Sequence, residues 1–380
     1  MRKERMAAVP SHEFEPPSKT SLAKIEQLQR QLREDPESAK LRDALLFEYG
    51  HLHFQGDPER VAQLVWHVRN RPDNRMLCTP IAWVDHERFP DHYAEVAQAW
   101  EEQLAIDPLR PTIARGAARF LFDANPDRAR TLLVDAATAH PDEAQLWIDM
   151  DGSSKSPEEK LSCLQRARSL GSPQPNLLSW LCQAAVEAND LEWAARYGNE
   201  LLAESHAAEP LPTKHTFGTQ DATGLRGNTI RPQGRRAHSR HHAHSTLGVV
   251  ALRNGDTQSA LEHLRASAAV DTDARLSSYG PSFELAFELS AHGFHNEVRD
   301  YLIDCKRFWK KPILEQWIAE SSEGKTPTFA QTDARLRASS TDRSRPVPPR
   351  RQSSPSARLQ HGNPSPGFGS ASFGPLAQGS

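Results

Sequence analysis

The stretch Arg110-Pro-Thr-Ile-Ala-Arg-Gly-Ala-Ala-Arg-Phe-Leu-Phe-Asp-Ala-Asn-Pro-Asp-Arg-Ala-Arg-Thr-Leu-Leu-Val-Asp-Ala-Ala-Thr-Ala-His-Pro141 decides the fold. Ile113, Gly116, Ala117 and Phe120 recur at spacings of three, four and seven, so they share one face of a 3.6-residue period and predict a helix. Asn125-Pro126-Asp127 interrupts that period, because Pro cannot continue a helix and Asp can cap the next one. Ala129, Leu133 and Ala136 then mark a second helix, which Pro141 ends. Ala117 and Ala129 stand twelve residues apart, and two small side chains at that spacing let antiparallel helices approach closely.

The same spacing recurs on both sides of this unit. Gly50 and Ala62 flank the turn Gly56-Asp57-Pro58, with Trp66 in the slot of Leu133. Cys182 and Ala194 flank Asn189-Asp190, and Gly248 and Ala260 flank Asn254-Gly255-Asp256. Further helices are predicted from Thr20 to Asp35-Pro36, over Tyr93–Ile106, Gln145–Met150 and Pro157–Leu170, and beyond Ser278-Tyr-Gly-Pro281 to Ile318. Arg71-Pro72, Thr79-Pro80 and Phe89-Pro90 make residues 71–92 a connector without a period. The expectation is an all-α fold of antiparallel helix pairs stacked as a solenoid over residues 20–320. Residues 1–19 are expected to be disordered, as is the basic Ser/Pro/Gly/Arg-rich tail 321–380, for want of apolar side chains to offset ordering entropy. A Gly-, Thr- and Pro-rich segment at about 205–237 is expected to be a flexible loop.

Composition agrees with a thin array carrying polar appendages. The hydrophobic fraction of 37% and mean hydropathy of -0.66 are low for one compact globule of 380 residues. The net charge of -3 hides a partition, with six Lys/Arg against two acids in 205–244 and eight against two in 324–380. The helical body is therefore strongly acidic and the two appendages basic. No run of about 18 apolar residues predicts a membrane span, and Met1–Pro10 lacks the apolar core of a signal peptide, so a cytoplasmic location is expected. Cys78, Cys163, Cys182 and Cys305 are far apart, in no metal-ligand spacing, and read as buried free thiols.

Catalytic constellations do not stand out. His238, His241 and His242 lie at helical spacing with His215 and His244 nearby, so a metal-dependent enzyme using this cluster is one alternative. A solvated His/Arg-rich helix start is the plainer reading, and no metal or cofactor is expected. The Gly218–Gly234 segment carries Arg226 and Arg231, and the tail carries Phe368 and Phe373 within Gly/Ser-rich basic sequence. Together they frame the first alternative to a protein-binding scaffold, ahead of the metal-dependent enzyme: nucleic-acid association through phosphate contacts and stacking. Arg343, Pro346 and Pro349 also have the spacing of a polyproline docking motif. The eight tryptophans fall mainly at inward helical positions and read as core.

Val65-Trp-His-Val-Arg-Asn-Arg-Pro72, Tyr93 with Ala99-Trp100, Gly116–Phe122, Leu247-Gly248, Ser278–Pro281, Cys305–Trp309 and Leu314–Ile318 jointly resemble uncharacterised bacterial tetratricopeptide-repeat-like (TPR-like) proteins over residues 40–320. The resemblance implies a TPR-like solenoid and no catalysis. It implies a scaffold that binds a protein or peptide segment on the concave face made by the first helix of each pair. Carried over position by position, the groove candidates are Phe47, His51, Phe54, Ala114, Ala118, Leu121, Gln183, Val186, His242, Ser245, Val249 and Arg253. The Lys and Asn with which TPR domains clamp a C-terminal carboxylate are absent from the matching positions.

Overall fold

The computed structural model describes residues 19–50, 56–207 and 232–329. Among them run sixteen α-helices and no strand. The first eight are α1 (Lys19–Glu34), α2 (Ala39–Glu48), α3 (Pro58–Asn70), α4 (Pro90–Ile106), α5 (Pro111–Leu121), α6 (Pro126–Ala139), α7 (Ala144–Asp151) and α8 (Pro157–Ser169). The rest are α9 (Leu177–Glu187), α10 (Leu191–Ala207), α11 (Pro232–Arg253), α12 (Thr257–Ala268), α13 (Ala274–Tyr279), α14 (Glu284–Ala291), α15 (His295–Cys305) and α16 (Ile313–Ser322). Neighbours pack as antiparallel pairs, α1 on α2, α3 on α4, and so through α11 on α12, stacked in succession as a solenoid.

Local chemistry sets the ends. Pro58, Pro90, Pro111, Pro126 and Pro157 each stand in the first helical turn, where no backbone N–H is needed. Asp57, Asn125, Ser156 and Asp256 cap their helices by accepting from backbone N–H groups of the first turn. Two of the turns that recur at the twelve-residue spacing share one geometry. Asp190 N–H donates to Ala185 and Asn189 N–H to Val186; Asp256 N–H donates to Ala251 and Gly255 N–H to Leu252. Both close with a left-handed residue, Asn189 at φ 55° and Gly255 at φ 86°.

Three of the four small-residue recurrences pack as expected: Ala117, Ala129, Cys182, Ala194 and Ala260 are all buried, and Gly248 lies where a Cβ would meet the Leu285 side chain at 2.3 Å. The first recurrence differs. Ala62 is exposed, and the inward stripe of α3 is Val61, Leu64, Val65 and Val68. Four large apolar side chains outweigh one Ala in choosing the buried face. Helix α3 consequently packs chiefly on α4 and α2 chiefly on α1, so residues 71–89 join the two helices of one pair rather than two pairs. Trp66 lies partly exposed under the Arg42 guanidinium, 4.4 Å from its ring.

The core is nearly continuous. One cluster spans Leu46 to Cys163 and another Ile148 to Phe329, with Trp147 packed against both. The far end is closed by aromatics: Phe329 is fully buried, stacked on Phe283 at 5.2 Å and edge-on to Trp317 at 5.0 Å. The helical body thus runs past the expected boundary at 320. Helix α10 reaches Ala207 and α11 begins at Pro232, inside the segment expected to be a loop. The expectations for 1–18, for the loop over 208–231 and for the tail from 330 lie outside the described residues.

Candidate partner-binding cavity

The connector 71–89 has no hydrophobic period, yet buried polar groups clamp it. Asp43 on α2 accepts from His67 Nε2 at 3.0 Å, Arg71 Nη1 at 2.8 Å and Asn74 Nδ2 at 2.8 Å. Asn74 in turn caps a 3-10 turn, Arg75–Cys78, and Thr79 caps a second, Pro80–Ala82. Arg60, 1% exposed, sends Nη2 to the carbonyls of Ile81 at 2.8 Å and Trp83 at 2.7 Å. Burial pushes this guanidinium down to about 10, the direction expected for a cation removed from water. At the outer edge the Trp83 indole donates to Asp123 at 2.8 Å, and Asp73 accepts from Arg110 and Thr112.

Held this way, the connector forms one wall of a cavity of about 490 Å³, within the range of ligand sites. Leu77, Cys78, Thr79, Pro80 and Trp83 face Arg115, Arg119 and Phe120 on α5 across it. Ala82, Ala118, Phe122, Asp123, Leu133, Asp149 and Gly152 complete the lining. A second hollow of about 260 Å³ shares Phe122 and Gly152 and continues past Pro126, Asp127, Arg130 and Ser153 to Lys155. Most of the charged lining is internally engaged. Arg115 pairs with Asp149, which also accepts from Gln145, and Arg130 pairs with Glu159. Arg119 is exposed and makes no hydrogen bond or ion pair among the described residues. Phe122 stands 39% exposed between the two hollows. Burial, the leading cause, raises the Cys78 thiol pKa, and Arg115 and Arg119 oppose it less strongly, so this thiol is a poor nucleophile near neutral pH.

The structure distributes the predicted groove residues unevenly. Ala114, Ala118 and Leu121 on α5 are buried, alongside Met76, Leu77, Ala82 and Val84 of the connector in one cluster. Val186, Ser245 and Val249 are also buried, in contacts between helices. All six are buried, although Ala118 still lines the cavity between the connector and α5. Arg253 is committed to Glu288 at 2.6 Å and to the Val186 carbonyl at 2.8 Å. Phe47 is exposed, Gln183 and His242 are partly buried, and His51 and Phe54 lie outside the described residues. Sequence reasoning missed Arg115, Arg119, Asp123 and Asp149 as a set. The one visible signal was Trp83, a large aromatic in a Pro-bounded segment with no period to bury it.

Of the histidines expected at a solvated helix start, His241 is a core residue, and His238, His242 and His244 are partly buried. His241 is fully buried; its Nδ1 donates to the Ser267 carbonyl at 2.8 Å and its Nε2 accepts from the Ser282 N–H at 2.8 Å. Burial pushes His238 down to about 4 and His241 to about 3. His244 and His263 meet Nδ1 to Nδ1 at 3.0 Å. Among the described residues no group of three or more His, Cys, Asp or Glu side chains is arranged to hold a metal ion.

No family model matches the sequence, and no curated protein matches it. Among solved structures, a chain in the crystal structure of the APC/C hetero-tetramer Cut9-Hcn1 is similar, with 12% sequence identity and a TM-score of 0.37. The match covers 79% of this chain and 52% of that one, so this protein spans about half the length of the matched chain. No helix among the described residues is long and apolar enough to cross a membrane.

Proposed function

We propose that this protein is a non-enzymatic scaffold that binds a segment of another protein, and that the segment lodges in the cavity between the connector and α5 rather than along the whole inner face. One observation carries the reading: a cavity lined by Trp83 and Phe122 also presents Arg119, which makes no hydrogen bond or ion pair among the described residues. Aromatic and Arg side chains are the usual anchors of protein interfaces. The burial of Ala114 and Leu121, neither of which lines the cavity, supports a site limited to the cavity side of α5. The test is affinity capture from native lysate with the wild-type chain, a Trp83→Ala/Phe122→Ser double variant and a chain lacking 330–380. Loss of the principal protein partner from the double variant, with an unchanged melting curve, supports the scaffold. Retention by the double variant, with salt-sensitive loss on removing the tail, favours nucleic-acid association instead.

A further inference from the structure

We propose that the cavity, if the scaffold reading holds, recognises an extended peptide in which an aromatic residue is flanked on both sides by carboxylates. The two hollows adjoin at Phe122 and Gly152, and each is lined by one cation that makes no ion pair among the described residues. Arg119 lines the larger hollow and Lys155 the smaller, and Phe122 stands exposed where they meet. A guanidinium carries five N–H donors in a planar fork that matches a carboxylate, and none of Arg119's is used among the described residues. Lys155 is exposed, and its ammonium forms no ion pair there. The other two cations of the hollows, Arg115 and Arg130, are held by Asp149 and Glu159. Charge is therefore offered at two separate points and not as a continuous basic surface.

The larger hollow selects the aromatic residue. Leu77, Pro80, Trp83, Phe120 and Phe122 give a hollow of about 490 Å³ that takes an aromatic ring from a partner. Burying such a ring removes a large apolar area from water, the main non-directional term in association. The carboxylates in the lining act as a filter. Asp149 is neutralised by Arg115, but Asp123 and Asp127 line the hollows with no cation paired to them among the described residues, so a polyanion with a charge at every step meets repulsion there. A peptide with two spaced carboxylates and an apolar residue between them does not. This favours an acidic–aromatic–acidic segment over a nucleic-acid backbone.

Fluorescence polarisation with the full chain and a fluorescein-labelled Gly-Glu-Ser-Phe-Ser-Glu-Gly peptide, whose carboxylates share the face of the Phe ring in an extended backbone, tests this. The control peptides carry Gln for both Glu, or Ser for Phe. The expected result is saturable binding that weakens with salt, about tenfold weaker for Arg119→Gln and about threefold for Lys155→Gln. The Gln peptide should lose at least as much as the Arg119 variant, and the Ser peptide should not bind. Both variants change exposed side chains, so their melting curves should match the wild type. Equal binding of the Glu and Gln peptides overturns the carboxylate requirement, as does unchanged affinity in both variants. If a single-stranded oligonucleotide binds at the same site more tightly than the Glu peptide, the filter is wrong. Absent peptide binding alongside Trp83- and Phe122-dependent partner capture refutes the segment chemistry and leaves the scaffold standing; loss of both removes the scaffold.

Discussion

Acidification should destabilise the second half of the solenoid through His241. The ring is fully buried between Ser267 on α12 and the Ser282 backbone, with His242 and His244 on its own helix and the Phe308 ring 6.4 Å away. No carboxylate bonds it. A neutral ring with its proton on Nδ1 satisfies both neighbours, and a second proton on Nε2 would oppose the Ser282 N–H. Burial, the leading cause, holds the folded pKa near 3, whereas the unfolded chain takes a proton near the ordinary value of 6.5. Between those values the unfolded state binds more protons, so stability rises with pH there. The contribution is complete above pH 6.5 and shrinks as pH falls toward 3. At about 1.4 kcal/mol per pH unit, His241 alone should remove about 2–3 kcal/mol between pH 6.5 and 4.5. His238 and His244, each pushed down to about 4 by burial, act in the same direction. The assay is urea unfolding followed by tryptophan fluorescence at pH 7.5, 6.5, 5.5 and 4.5 and constant ionic strength, for wild type and His241→Gln. The variant should be about 1–3 kcal/mol less stable at pH 7.5, because a buried backbone group loses its partner. Its stability should then fall less steeply, narrowing the gap at low pH. Parallel profiles for the two proteins would refute the reasoning.

Close helix contacts should not tolerate added volume. Ala129→Leu, and separately Gly248→Leu, should cost about 1–3 kcal/mol or more by overpacking, since Ala129 is fully buried and a Cβ on Gly248 already meets Leu285 at 2.3 Å; unchanged denaturation midpoints in both would remove the close-packing account. Phe329→Ala should cost about 3 kcal/mol by emptying the aromatic end of the core, because Phe329 is fully buried against Phe283 and Trp317. A melting temperature equal to wild type would show that residue to be dispensable.

The helical character of the chain was legible because it rests on local chemistry. Pro at first turns, Asp, Asn and Ser caps and a 3.6-residue apolar period act within a few residues, and each of α5, α6, α9 and α12 lies where that chemistry placed it. The twelve-residue spacing of small residues worked for three pairs because both partners sit on one hairpin, close in sequence. It failed at Ala62, where the apolar stripe on α3 chose another face and α4, beyond the connector, supplied the packing partner.

The sequence by itself determined an all-α chain of helix pairs and marked 71–92 as a break in the repeat. Only the tertiary structure decided what that break does. Asp43, Arg60 and Asp123 each reach across twenty or more residues to hold the connector, and no periodicity records a polar contact at that range. The same applies to His241, which looked solvated in a run of basic residues and is buried because α12 and the 280–283 segment close over it. Burial of a polar side chain depends on which distant backbone groups are brought to meet it, and that is a property of the assembled fold.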